Sequence, residues 1–167
     1  YGTHGPYLKE FLHYWEHDYD WRKHEAAINA QPQFMTRIDN IPIHFIHAKG
    51  KGPRPIPLIL SHGWPWTFWD WHKLIGPLTD PAAHGGDAAD AFDVVVPSLP
   101  GFAYSTPLTT TGINFWRTAD LWVTLMREVL GYDKFAAGGG DWGALLTTQL
   151  GHRHAEQRGD GGLADAT

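Results

Sequence analysis

The apolar positions of this 167-residue chain change period several times, and each change marks an element. Leu8, Phe11, Leu12 and Trp15 recur at helical spacing. Residues 7–30 therefore read as helical, with Asp20 placed to cap a second short helix over Trp21–Asn29. Gln31-Pro32 breaks that pattern. Residues 34–38 and 43–48, either side of an Asp39-Asn40 turn, read as a β-hairpin. A loop rich in Gly, Pro and basic residues (49–57) leads to a short apolar strand at 58–62, closed by Gly63-Trp64-Pro65. A helix from Thr67 to Ile75 follows, stopped by Gly76-Pro77. After a polar loop (79–90) comes a second buried strand, 92–96. Phe115, Ala119, Trp122, Met126 and Val129 then fall at alternating steps of four and three. That predicts an amphipathic helix over 115–130, with Asn114 as its N-cap and Gly131 as its stop. Residues 135–137 lead into a glycine-rich turn, and a last helix begins at Trp142 and runs to about residue 150.

From residue 58 the order is thus strand, helix, strand, helix, strand, turn, helix. Such alternation implies an α/β fold, a parallel sheet with helical crossovers whose ligands gather at the carboxyl ends of its strands. The chain divides into an N-terminal segment of helices and hairpin (1–57), an α/β core (58–157) and a small, polar, aperiodic tail (158–167) that reads as disordered.

Composition narrows the function. A formal net charge of -5 gives no reason to expect nucleic acid or an anionic membrane as partner. Cysteine is absent, which excludes disulfides, thiolate metal sites and a thiol nucleophile. The longest apolar runs, such as 56–60, fall far short of the roughly 20 residues of a membrane span. With no secretory signal in view the expected compartment is cytoplasmic, although the chain begins at Tyr1 rather than Met, which leaves a preceding leader open. Nine Trp crowd the chain, many around two motifs, and suggest an aromatic-walled apolar pocket; filling the core is their plainer use.

Those two motifs are His62-Gly63-Trp64-Pro65 and Gly138-Gly139-Gly140-Asp141-Trp142-Gly143. Both fall at carboxyl ends of predicted strands. The second has the layout of a nucleophile elbow with an aspartate in the place of serine, and glycines at 139 and 143 relieve the crowding of a sharp strand-to-helix turn. A carboxylate attacking carbon gives an alkyl ester, so the chemistry is ring opening or displacement at an sp³ carbon, followed by ester hydrolysis. Hydrolysis needs two N–H donors at the oxyanion, and the layout offers the backbone amides of Trp142 and Trp64. Plainer readings stand beside these: Asp141 as a helix N-cap, Gly63-Trp64-Pro65 as an ordinary proline turn. His13 and His17 share a helix face but lack a third ligand, and read as a solvated face. No metal or other cofactor is expected.

At this point the chain resembles a known family: the epoxide hydrolases of the α/β-hydrolase superfamily, in particular the microsomal and juvenile-hormone type. The stretch Tyr14-Trp15-Glu16-His17-Asp18-Tyr19-Asp20-Trp21-Arg22 is similar to that family's N-terminal signature, and by the resemblance the family's N-terminal region extends to about residue 110, into the core. His62-Gly63-Trp64-Pro65 resembles its oxyanion motif, Pro97-Ser98-Leu99-Pro100-Gly101-Phe102 its strand-loop motif, and Gly139-Gly140-Asp141-Trp142-Gly143 its nucleophile motif. The resemblance covers about residues 5–157. It implies an incomplete α/β-hydrolase fold and cofactor-free hydration of a small apolar epoxide by water to a vicinal diol. By the same resemblance Asp141 attacks the ring carbon, lid tyrosines protonate the oxygen, and a late histidine paired with an acid activates water. It says nothing about oligomeric state.

Only 26 residues follow Asp141, whereas the superfamily orders its triad as nucleophile, acid, histidine. His152 lies eleven residues along the same predicted helix, about 16 Å away, and with His154 it reads as a surface residue rather than the base. The chain therefore reads as an N-terminal fragment of a longer enzyme, inactive by itself. Two alternatives stay open. A haloalkane dehalogenase shares the fold and the aspartate, but tends to carry an Asn or Glu where Trp64 stands. A non-catalytic remnant of the fold is the other.

Overall fold

A computed structural model describes residues 2–155, so the tail at 158–167 lies outside the described residues. The chain divides into two compact units, Tyr1–Gln31 and Pro32–Thr167. The first unit is two helices. Helix α1, Gly5–His17, carries Tyr7, Phe11 and Trp15 on one face, where Phe11 stacks on both neighbours at 6.4 and 6.1 Å. Helix α2, Trp21–Asn29, begins as expected at Asp20, whose carboxylate accepts the Arg22 N–H at 3.0 Å.

The second unit is a five-stranded sheet flanked by helices. Strands β1 (Gln33–Ile38) and β2 (Ile41–Ala48) form the hairpin, with Asp39 and Asn40 both at positive φ in its turn. Short polar side chains tolerate that conformation best. Strands β3 (Ile56–Ser61), β4 (Phe92–Pro97) and β5 (Ala136–Gly139) complete the sheet in the order β1-β2-β4-β3-β5. The three later strands run parallel. The hairpin, grouped by sequence with the N-terminal helices, belongs instead to this sheet: β2 pairs antiparallel with β4 from Phe45↔Pro97 to Ala48↔Val94. The cause is burial, since β2 is covered along nearly its whole length and both of its edges are paired.

Alternation along the strands builds two layers. Ile43, Phe45, Ile59 and Val95 face a core filled by Leu121, Trp122, Leu125, Met126 and Leu146. These come from helix α4 (Phe115–Thr124), its continuation Leu125–Val129, and helix α5 (Trp142–His154). Fully burying each such side chain contributes about 1.5–3 kcal/mol. The Trp122 indole N–H also donates to Ser61 Oγ at 3.0 Å, tying α4 to the end of β3. Asn114 caps α4 through the Arg117 N–H, a contact worth about 1 kcal/mol, and Gly131 closes the segment at φ 76°. Leu125–Val129 widens into a single π turn, which the apolar spacing does not reveal.

On the opposite face, a 3₁₀ turn at Phe68–Trp71 precedes helix α3 (His72–Thr79). Gly76-Pro77 was expected to end this helix and does not. The extra turn is held beyond Pro77 by the Thr79 hydroxyl, which donates to Ile75 O at 2.7 Å, and by the Asp80 N–H, which donates to Gly76 O at 2.9 Å.

Candidate active site

Strand β5 ends at Gly139, and within two residues the chain has turned into α5. Asp141 stands at the apex with φ 53° and ψ −120°, outside the usual wells of a non-glycine residue. Such a conformation costs of order 1–3 kcal/mol and persists only where the surroundings impose it. Two glycines make it possible. A Cβ at Gly143 would sit 2.0 Å from Ser61 O, and one at Gly139 would sit 2.5 Å from the Gly143 backbone. Helix α5 thus lies directly on the ends of β3 and β5. Gly140, by contrast, has open space around it, so the turn does not need a glycine there.

The side chain of Asp141 does not cap α5. Its Oδ1 instead accepts the Trp64 N–H at 2.9 Å, and the Trp142 amide, next along the chain, also favours the ionised carboxylate. Trp64 first, then Trp142, holds this carboxyl below the ordinary carboxylate range although it is exposed. Two amides thus favour one anion, one hydrogen-bonded to it from the loop after β3 and one acting from the first turn of α5. The Trp64-Pro65 peptide is cis, and a Cβ on Gly63 would meet Asp141 Cβ at 2.7 Å. The loop and the elbow touch.

His62 is 1 % exposed. Its Nδ1–H donates to Gly63 O at 2.8 Å and its Nε2 accepts the Leu99 N–H at 3.0 Å. A carbonyl only accepts and an amide only donates, so the tautomer follows from the partners. Burial holds this imidazole below its usual pKa, against the opposing influence of Gly63 O and Asp70. It belongs to the scaffold and not to a substrate pocket. His152 is exposed as expected; His154 is partly buried, because α5 lies along α4 and its Nε2 sits 2.9 Å from Asp120 Oδ1. His13 and His17 are exposed and stack at 4.3 Å.

The strand-loop stretch 97–102 is pinned by residues the sequence did not single out. His44, 2 % exposed on β2, bonds Ser98 Oγ through Nδ1 and Gln33 Oε1 through Nε2, both at 2.9 Å. Ser105 Oγ accepts the His44 N–H and donates to Ser98 O. Burial pushes the His44 pKa down to about 4. The available signal was a histidine inside an otherwise largely apolar strand segment. The rings around the site also differ in role. Trp122 is core, whereas Trp64 and Trp142 stack at 6.2 Å beside the carboxylate, half exposed, with Trp142 also edge-on to Phe102 and Phe115. Behind Trp142 lies a cavity of about 300 Å³ walled by Phe102, Ile113, Phe115 and Leu146.

Comparison with known proteins agrees with this geometry. Residues 56–159, more than half of the chain, match the family described as the alpha/beta hydrolase fold. The chain belongs to the alpha/beta hydrolases. Residues 1–71 of this alpha/beta hydrolase chain match the epoxide hydrolase N terminus. It is 42 % identical over 154 residues to Epoxide hydrolase 1 of Oryctolagus cuniculus, covering 90 % of this chain and 34 % of that protein. Its fold is similar to the crystal structure of juvenile hormone epoxide hydrolase from the silkworm Bombyx mori. There the TM-score is 0.78 at 27 % identity, over 93 % of this chain and 36 % of the other. The epoxide hydrolase of Aspergillus niger gives a TM-score of 0.76 at 29 % identity, over 90 % and 38 %. The chain thus spans about a third of the length of these relatives. Among the described residues no helix is long and apolar enough to cross a membrane.

Proposed function

We propose that the protein carrying this chain hydrates a small apolar epoxide to a vicinal diol through an ester on Asp141. The observation that carries the proposal is the Trp64 amide donating to a strained, exposed carboxylate that the Trp142 amide also favours in its ionised form. With Oδ1 held by Trp64, Oδ2 attacks a ring carbon. The carbon–oxygen bond of the epoxide breaks, and its oxygen leaves as an alkoxide that takes up a proton. An ionised carboxylate needs no base for this step, unlike a serine. Oδ1 becomes the carbonyl oxygen of the ester. When water adds to Asp141 Cγ, charge develops on Oδ1, where the Trp64 amide already points, with the Trp142 amide as the second donor. Collapse returns the carboxylate and releases the diol. The stacked Trp64 and Trp142 rings offer the apolar surface against which the substrate rests. The proton donor and the base that activates water belong to residues other than those described. Relatives of this similarity named epoxide hydrolases, and the match of residues 1–71, favour this reading over a dehalogenase.

The test is direct. The full-length protein, mixed with styrene oxide and quenched in acid within its first turnover, should yield a peptide containing Asp141 heavier by the mass of the epoxide. Asp141→Ala should show neither adduct nor diol. Diol formation by that variant would refute the assignment.

A further inference from the structure

The Trp64 N–H that meets Asp141 belongs to the Gly63–Trp64 peptide, and nothing local fixes how that peptide is turned. Position 63 has to be glycine, because a Cβ there would come within 2.7 Å of Asp141 Cβ. Glycine leaves the adjoining dihedrals free, so a peptide flip meets little steric resistance. In a trans peptide the C=O and N–H point in opposite directions. Whatever holds Gly63 O therefore decides where the Trp64 N–H points. That group is the His62 imidazole, with Nδ1 2.8 Å from Gly63 O, while on the other side the Trp64 N–H meets Asp141 Oδ1 at 2.9 Å.

We propose that His62 is a positioning residue: its ring locks the Gly63–Trp64 peptide so that the Trp64 amide faces the nucleophile. The ring can do so because it is itself fixed. Nε2 accepts the Leu99 N–H at 3.0 Å, the Phe102 ring packs on it edge-on at 5.5 Å, and it is 1 % exposed. Leu99 in turn follows Ser98, which His44 anchors to β2. A flipped peptide would remove one donor from the oxyanion and turn the Gly63 carbonyl dipole towards the carboxylate. The step that suffers is ester hydrolysis, where charge develops on Oδ1, more than ester formation.

This inference rests on the reading of Asp141 as an ester-forming nucleophile, and the experiment separates the two. Two substitutions split the functions of the ring in the full-length protein. His62→Asn places a donor where Nδ1 stands, and His62→Gln places an amide only where Nε2 stands. Ester formation and ester decay are followed separately by rapid quench and intact mass, with styrene oxide as substrate. Loss of one oxyanion donor slows the step it serves by roughly 10²–10³-fold. His62→Gln should slow ester decay by about 10²-fold, so that the ester accumulates, with formation within about tenfold of wild type. His62→Asn should recover most of the decay rate. Wild-type decay in a folded His62→Gln variant overturns the proposal, as does an equal loss of both steps in both variants. If the wild type forms no ester, the Asp141 reading fails, and amide hydrogen exchange at Trp64 still decides the role of His62. Protection lost in His62→Gln and kept in His62→Asn supports the lock; equal protection in both overturns it.

Discussion

In the proposed mechanism a peptide N–H 2.9 Å from Asp141 Oδ1 acts twice, holding the anion before reaction and receiving charge after it. The histidines nearby do the opposite work, staying neutral to hold loops. Burial lowers the pKa of His44 from an ordinary 6.5 to about 4, and lowers those of His47 and His62 as well. Between those values the unfolded chain binds protons that the native state refuses. Stability is therefore full above about pH 6.5 and falls progressively as the pH drops towards 4. Asp93, held below 3.8 by Tyr132, the Gly50 N–H and Lys49 despite its burial, adds a second loss only at lower pH. Thermal melts of the full-length protein from pH 7 to 4.5 should show Tm falling, and His44→Gln should lose part of that slope. An unchanged slope in the variant would contradict the assignment. The strained turn at Asp141 was legible because glycine spacing around one acid is a local pattern. His44, Ser98 and Ser105 were not, because their meaning comes from partners 54 and 61 residues away across the sheet.

Elements were legible where their signals are local. Asp20 and Asn114 mark helix starts, and Asp39-Asn40 marks the hairpin turn, because capping and positive φ are properties of a few adjacent residues. Helix α3 ran past Gly76-Pro77 because Thr79 and Asp80 close one more turn, a compensation that proline statistics do not contain. Pairing of the hairpin with β4 was likewise hidden, since strand order is set by burial of both faces of β2 and not by its period. The elbow allows the sharpest test at this scale. Gly143→Ala places a methyl 2.0 Å from Ser61 O, and only backbone displacement of α5 or β3 relieves it. The expected loss is about 3 kcal/mol in urea unfolding, with activity lost before stability because the Trp142 amide moves. Gly140→Ala, with open space at that position, is expected to cost about 1 kcal/mol or less. Equal effects at the two positions would contradict the close approach of α5 to β3.

At the scale of the molecule, the chain holds the proposed nucleophile and its two proposed amide donors but spans about a third of the length of its relatives. Among the described residues, both ring nitrogens of His62 are engaged and His154 is paired with Asp120. Neither is placed to activate water beside Asp141. The 167-residue polypeptide alone should therefore give no sustained diol from styrene oxide by chromatography; multiple turnovers would place the base within it. The central claim is that oxygen passes from the carboxylate to the product, and isotope transfer measures it. In a single turnover in ¹⁸O-water with excess full-length enzyme, the first diol should be unlabelled and the label should appear in the Asp141 carboxylate. A first diol carrying ¹⁸O, with Asp141 unlabelled, would mean direct attack by water and would contradict the covalent mechanism.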